Sequence, residues 1–283
     1  MNTFSPHFGP ISIEVPKDWH SVNLSNNNVD IAHNQLGTTP QARWQFWRQW
    51  LLKHKVELID ESEDKDLNKL SFNQATGEWI FQNSIGQFEL GLTKEWNNLK
   101  MQKDKLKAGP LKKAIGPLSP SLRVIDATTG TGKDTIFLLS WGYPVLGFER
   151  NPIIYFLLQW ARENLIGHGI IKEGQWELHF GMLQEQILKH TDADINILYF
   201  DPMFMASRTK SALPRKEMQI FHQLVGEDND QLENFTEYLK LSWSRFVVKR
   251  PARSSSWGKP NFSLEGKSIR YDIYVKDSIG KLT

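Results

Sequence analysis

The rhythm of apolar positions changes along this chain at about residue 120. Before that point the runs are short. Ile11, Ile13 and Val15 alternate with polar residues, the two-residue period of a strand. Thr38-Thr39-Pro40 offers a helix start, with Thr39 as N-cap and Pro40 at the first helical position. Trp44, Trp47 and Leu51 follow at helical spacing and predict a buried face, with Arg43, Arg48 and Lys53 among them. The acidic stretch Asp60 to Asp66 reads as a solvated loop. Lys69–Asn73, Glu78–Gln82 and Gln87–Leu92 read as strands, separated by turn signals at Thr76-Gly77 and Ser84-Ile85-Gly86. Residues 1–119 therefore predict a small N-terminal α+β subdomain.

A lysine-rich stretch closes this part, with Lys100, Lys103, Lys105, Lys107, Lys112 and Lys113. It reads equally as a solvated surface or as a phosphate-contacting one. Gly116-Pro117 and Ser119-Pro120 then punctuate the chain. From Leu122 onward strand and helix alternate. Strands are expected at Leu122–Ala127, Val145–Glu149, Trp176–Phe180, Ile195–Phe200 and Arg245–Lys249, with a last strand pair near Phe262 and Arg270–Val275. Helices are expected at Asp134–Trp141, from Asn151-Pro152 through Ile166, at Met182–Lys189, Arg215–Leu224 and Asp230–Leu241. This pattern predicts an α/β domain over residues 120–283, a parallel sheet covered by helices on both faces. Ligands of such sheets sit beyond the carboxyl ends of the strands.

Composition narrows the chemistry only at its margins. The chain has 283 residues, a net charge of +2 and no cysteine. Disulfides, thiolate metal sites and a cysteine nucleophile are thereby excluded. The near-neutral total neither argues for nor against a nucleic-acid partner, which needs only a local basic patch. Met1 to Asp18 lacks a signal-peptide pattern, and no uncharged apolar run reaches bilayer-crossing length. A cytoplasmic protein without membrane segment or metal is expected. The sequence leaves the oligomeric state open.

The strand ends carry the candidate chemistry. The first ends in Asp126-Ala127-Thr128-Thr129-Gly130-Thr131-Gly132-Lys133-Asp134. A nucleotide-triphosphate loop fails here, because Ala127 stands where its first glycine should be and Asp134 replaces the magnesium-binding hydroxyl. A dinucleotide fingerprint is weakened at Thr135, which occupies its third glycine position. What remains, Asp-x-x-x-Gly-x-Gly, resembles the signature of S-adenosylmethionine (SAM)-dependent methyltransferases. Gly130 and Gly132 let the backbone approach a ligand closely, and acidic groups suit a ligand carrying a sulfonium and an ammonium. At the second strand end the Glu149 carboxylate can accept both ribose hydroxyls of an adenosine. At the third, Gly181 permits close approach of an adenine, and Met182 could line its pocket.

The fourth strand ends in Asp201-Pro202-Met203-Phe204, which resembles the [DN]-P-P-[YF] motif of methyltransferases acting on amino groups of planar substrates. A ring amine is a poor nucleophile, because its lone pair is delocalised. The Asp201 carboxylate and the Pro202 carbonyl can accept its hydrogen bonds and aim it, and Phe204 supplies a stacking face.

Further segments, Lys210 to Met218, Phe221 to Gly226, Phe246 to Pro251 and Arg270 to Tyr274, join these motifs in a wider likeness. Together they resemble the ribosomal RNA small subunit methyltransferase J family over roughly residues 105–275. The resemblance implies a Rossmann-like class I fold and SAM-dependent methylation of a guanine N2 amine in 16S ribosomal RNA, free or in the small subunit. It implies cofactor contacts at Lys133, Asp134, Glu149, Arg150 and Asp201, and at Gly181 and Met182, where the family usually has small hydroxyl residues. Lys210, Arg215, Lys216, Lys249 and Arg250, with Arg208 and Arg253, form a candidate RNA rim. Two rival readings remain: a methyltransferase of the same fold acting on a DNA base or a protein glutamine amide, and a catalytically idle RNA-binding or ribosome-assembly protein.

Overall fold

A computed structural model describes residues 9–19, 39–60, 67–101, 109–119, 122–186, 195–202, 216–226 and 229–276. In chain order its elements are β1 (Ile11–Glu14), α1 (Pro40–Lys53), β2 (Leu58–Asp60), β3 (Asn68–Asn73), β4 (Glu78–Asn83), β5 (Gly86–Glu89), α2 (Leu92–Met101) and α3 (Pro110–Ile115). There follow β6 (Val124–Asp126), α4 (Lys133–Ser140), β7 (Val145–Glu149), α5 (Pro152–Gly167), β8 (Trp176–Phe180), α6 (Leu183–Gln186) and β9 (Ile195–Phe200). The last are α7 (Lys216–Val225), α8 (Gln231–Lys240), β10 (Trp243–Pro251), β11 (Phe262–Glu265) and β12 (Ile269–Val275).

The chain divides into two units. The first comprises Met1–Leu90, Asn151–Trp160 and Lys210–Gly226; the second comprises Gly91–Arg150, Ala161–Thr209 and Glu227–Thr283. This division differs from the boundary at residue 119 expected from the turn signals. Contacts between residues far apart in the sequence account for the difference. In the second unit, Arg245 donates to the Ala114 carbonyl at 2.9 Å and the Tyr143 hydroxyl donates to the Gly116 carbonyl, which ties α3 to the later strands. In the first unit, Asn151 donates to the Leu224 carbonyl at 2.7 Å, Asn83 to Gln223 at 2.8 Å, and Phe88 packs on Phe221.

The first unit is built on a five-stranded sheet of order β2-β1-β3-β4-β5. The helix read from Thr39 forms as expected: Thr39 Oγ1 caps the Ala42 N–H at 3.3 Å, and Trp44, Trp47 and Leu51 are buried. Trp44 lies 4.7 Å from Trp79, which meets Phe156 and Trp160 edge-on at 5.3 and 5.6 Å. Arg43 is spent here too, its guanidinium 3.9 Å above the Trp160 ring. The aromatic load of this region is therefore core packing.

The second unit carries a seven-stranded sheet of order β11-β12-β10-β9-β6-β7-β8. Strands β8, β7, β6, β9 and β10 run parallel, and β12 and β11 return antiparallel at one edge. The sheet is thus mixed at its edge, where the final hairpin adds two strands to the parallel set. Phe235, Tyr238, Phe246 and Tyr274 pack with Ile125, Leu146, Leu198 and Val248 into one buried cluster. Truncating a ring such as Phe246 to alanine would cost about 3–5 kcal/mol. That rigidity matters because the parallel register fixes where β6, β7 and β9 end.

Candidate active site

The residues read from the first strand end form a turn whose glycines are required by its backbone. Gly130 and Gly132 have φ of 54° and 73°, the left-handed region that side chains disfavour. The register pairs Asp126 with Gly147 on one side and with Tyr199 on the other. The turn after Asp126 is therefore flanked by the ends of β7 and β9, and it bonds to both. The Gly130 N–H donates to Glu149 Oε2 at 3.0 Å. Thr128 Oγ1 accepts from the Asp201 N–H at 3.0 Å and lies 3.1 Å from the Asp201 carbonyl, to which its hydroxyl donates. The Gly181 N–H donates to the Glu149 carbonyl at 2.9 Å, bringing the end of β8 into the same row. Residues 181, 149, 130, 128 and 201 thus follow one another along one edge of the sheet.

Asp126 itself lies beneath this row. It accepts from the Thr135 hydroxyl at 2.6 Å and the Thr128 N–H at 3.2 Å. Burial pushes its carboxyl up to about 7, with the Thr135 and Thr128 bonds opposing and Asp134 and Asp201 adding repulsion. Thr135, the residue that spoils a dinucleotide fingerprint, has a use here. It is fully buried and supplies a hydroxyl partner to the buried Asp126 carboxyl.

Among the remaining predicted site residues, Asp134 opens α4 and accepts from the Tyr199 hydroxyl at 2.5 Å. Lys133 beside it is exposed. Arg150 is engaged by Asp230 at 2.7 Å, and Met182 is half-buried. Pro202 is buried at the start of the acceptor motif. Phe204, Met203, Arg208, Lys210 and Arg215 lie outside the described residues, and Lys216 is exposed at the start of α7 in the first unit.

Lys249 and Arg250 depart from the exposed RNA rim expected of them. Lys249 Nζ sits 2.7 Å from Asp134 Oδ2 and 2.8 Å from Asp201 Oδ2. Burial alone would lower its pKa, but the two carboxylates together outweigh that and hold it well above the usual lysine value. Arg250 is buried, stacked 3.8 Å over Trp257 and donating to the Ser255 carbonyl at 2.7 Å. Strand β10 extends through Pro251, so residue 249 stays in the sheet beside β9, with Val248 paired to Phe200. Arg253 beyond it is exposed.

The donor set can be tested against the cofactor. Glu149 is 6 % exposed at a strand end beside two left-handed glycines, a placement suited to a ribose. Carboxylates from Asp134, Glu149 and Asp201 share this edge with one half-buried ammonium, a balance that favours a cationic ligand over a polyphosphate. Among the described residues no cluster of histidine, aspartate and glutamate could hold a metal ion, and no helix is long and apolar enough to cross a membrane. The residues fit SAM.

Counted outward from β6, the strand order 3-2-1-4-5-7-6 with a left-handed glycine turn after the first strand defines a Rossmann-like class I methyltransferase. A SAM-dependent methyltransferase from Neisseria gonorrhoeae shares the fold, with a TM-score of 0.59 over 94% of this chain and 96% of that one at 23% identity. The family model described as "Putative SAM-dependent methyltransferase" matches residues 52–276. Ribosomal RNA small subunit methyltransferase J of Thioalkalivibrio sulfidiphilus is 37% identical over 177 residues, 60% of this chain and 69% of that protein. Its counterpart in Pseudomonas aeruginosa is 39% identical over 175 residues, covering 60% and 66%, and that of Bdellovibrio bacteriovorus 37% over 166 residues, covering 58% and 64%. The matched segments thus span just under two thirds of the latter two proteins. The chain belongs to the ribosomal RNA small subunit methyltransferase J family of SAM-dependent methyltransferases.

Three functional candidates escaped the sequence reading: Thr128, Thr135 and the inward role of Lys249. The first two lay within the glycine motif, where a hydroxyl two residues past Asp126 and another nine residues past it were the available signals. Lys249 needed the pairing of β10 with β9, which no local pattern reveals.

Proposed function

We propose that this chain transfers a methyl group from SAM to the exocyclic N2 amine of a guanine in 16S ribosomal RNA. The observation that carries the reading is the bonding of one glycine turn to both Glu149 and Asp201, which brings a ribose-binding acid and an amine-binding acid to one sheet edge. The names of the relatives support a small-subunit ribosomal RNA as substrate, and the guanine N2 position is what the resemblance to their family implies. Bound SAM would supply an electrophilic methyl carbon on sulfur. Glu149 accepts hydrogen bonds from the ribose hydroxyls, and Gly130, Gly132 and Gly181 leave room beside it. Lys133, Asp134, Arg150 and Met182 complete that side.

On the acceptor side the Asp201 carboxylate and the Pro202 carbonyl accept the amine's hydrogen bonds and orient its lone pair in line. Phe204 stacks on the base. Transfer would exchange the methyl group's bond to sulfur for one to the amine nitrogen, and the amine would then yield a proton to solvent. Of the cations read as an RNA rim, Lys216 and Arg253 are exposed, and these with Lys210 and Arg215 are the proposed phosphate contacts. A ribosomal RNA substrate places the reaction in the cytoplasm.

Labelled SAM offered to unmethylated small subunits, free 16S RNA, duplex DNA and total protein tests the reading. Label on an RNA guanine is expected, and Asp201→Asn should abolish it while leaving SAM affinity within a few fold. Label on DNA or on protein, or no transfer to any acceptor, would overturn it.

A further inference from the structure

Lys249 occupies a position that cofactor and substrate recognition alone do not require. Its ammonium bridges Asp134, on the first turn of the helix after the glycine loop, and Asp201, at the acceptor strand end. Among the described residues, groups from several elements stand around it. Asp134 comes from α4, Asp201 from the end of β9, Tyr199 from β9 with its hydroxyl on Asp134, and Tyr271 from the paired strand β12, while Asp126 of β6 repels Asp134 and Asp201. Burial and the nearby carboxylates hold both tyrosines protonated. Lys249 is thus a cation held between two carboxylates, with two neutral phenols close by. Its distances are those of charge-assisted hydrogen bonds, and its own pKa is raised, so it acts as a permanent cation rather than as a base.

We propose that Lys249 is a positioning residue, whose ammonium fixes the Asp201 carboxylate and keeps it ionised for the substrate amine. The proposal rests on the amine-methylation reading above. Asp134 and Asp201 each place an oxygen against the same nitrogen, so the two carboxylates are near neighbours. Without the cation between them, like charges would favour a shared proton, and a protonated Asp201 no longer holds the amine in register. The Thr128 bonds fix the backbone of residue 201; Lys249 fixes its side chain.

The test is the pH dependence of kcat at saturating SAM and RNA. Lys249→Met should lower kcat about a hundredfold, the scale of a misplaced reacting group, and move the acidic limb to higher pH. Its SAM affinity, read by calorimetry, should change far less than kcat. Lys249→Arg keeps the charge and should hold the limb at the wild-type position while recovering part of the rate. Asp134→Asn removes the repelling carboxylate and should move the limb the other way, to lower pH, so the comparison survives even if Lys249→Met does not fold. A purely structural lysine would not produce opposite shifts. Wild-type kcat and limb in Lys249→Met, or an unmoved limb in Asp134→Asn, overturn the proposal alone. A wild-type protein that methylates no RNA overturns the functional reading and this proposal with it.

Discussion

Replacing Asp126 with asparagine isolates the cost of burying one charge under the glycine loop. Asp126 is 1 % exposed, and burial raises its carboxyl from 3.8 to about 7. Between those values the folded chain holds the proton more tightly than the unfolded one. The carboxyl's contribution to stability is therefore greatest at acid pH, declines as pH rises from the unfolded towards the folded value, and levels off above it. A shift of about three units at roughly 1.4 kcal/mol each makes the loss about 4 kcal/mol. Asparagine has the same shape and can still accept the Thr128 N–H and pair with Thr135, but it carries no charge. Urea unfolding of both proteins, from about pH 4 to about pH 8, gives the difference in stability and cancels groups common to both. Wild type minus Asp126→Asn should fall by about 4 kcal/mol across that range and then flatten. A difference that stays constant, or that grows with pH, would refute the assignment of a neutral, buried carboxyl.

Two further outcomes follow from the same geometry. Glu149→Gln keeps an acceptor for the Gly130 N–H but loses the charge that strengthens bonds to ribose hydroxyls. Calorimetry should show SAM affinity falling about ten- to a hundredfold, with kcat at saturation little changed. Arg270→Ala would strip the fork from Asp272, which is fully buried and bonded at 2.9 and 3.1 Å, and would release the Ser254 carbonyl and the Ser256 hydroxyl. Chemical denaturation should register a loss of about 3–5 kcal/mol, the cost of leaving a buried charge unpaired. A loss below about 1 kcal/mol would contradict it.

Where the sequence alone was decisive, the reason was local. Strands Val145–Glu149, Trp176–Phe180 and Ile195–Phe200 have the bounds read from their apolar runs, because each run is bracketed by turn residues and buried along the parallel sheet. The Thr39 cap and the Trp44/Trp47/Leu51 face were likewise visible, since a cap and a helical stripe are patterns within a few residues. Other features depend on partners far away in the chain. The strand expected at Gln87–Leu92 stops at Glu89, because Gly91 adopts φ of 59° and α2 begins at Leu92. Helix α2 itself, with Leu92, Trp96 and Leu99 buried, went unread beside the lysine-rich stretch.

The candidate site shows the same split. Glycines 130 and 132 declared themselves by their spacing after Asp126, read as room for a close ligand, and both adopt positive φ. Lys249 did not, because a lysine at a strand end looks the same whether it faces water or two carboxylates. Only the pairing of Val248 with Phe200 sets it level with Asp201. The segments 151–160 and 210–226 join the first unit through bonds such as Asn151 to Leu224, a separation of 73 residues that no periodicity encodes.

A crystal structure with S-adenosylhomocysteine bound tests the central claim most directly. The account places the ribose hydroxyls on Glu149, the adenine beside Gly181 and Met182, and the sulfur facing the Asp201 carboxylate. A ligand seated away from the ends of β6 and β7, or with its sulfur turned from residue 201, would contradict it.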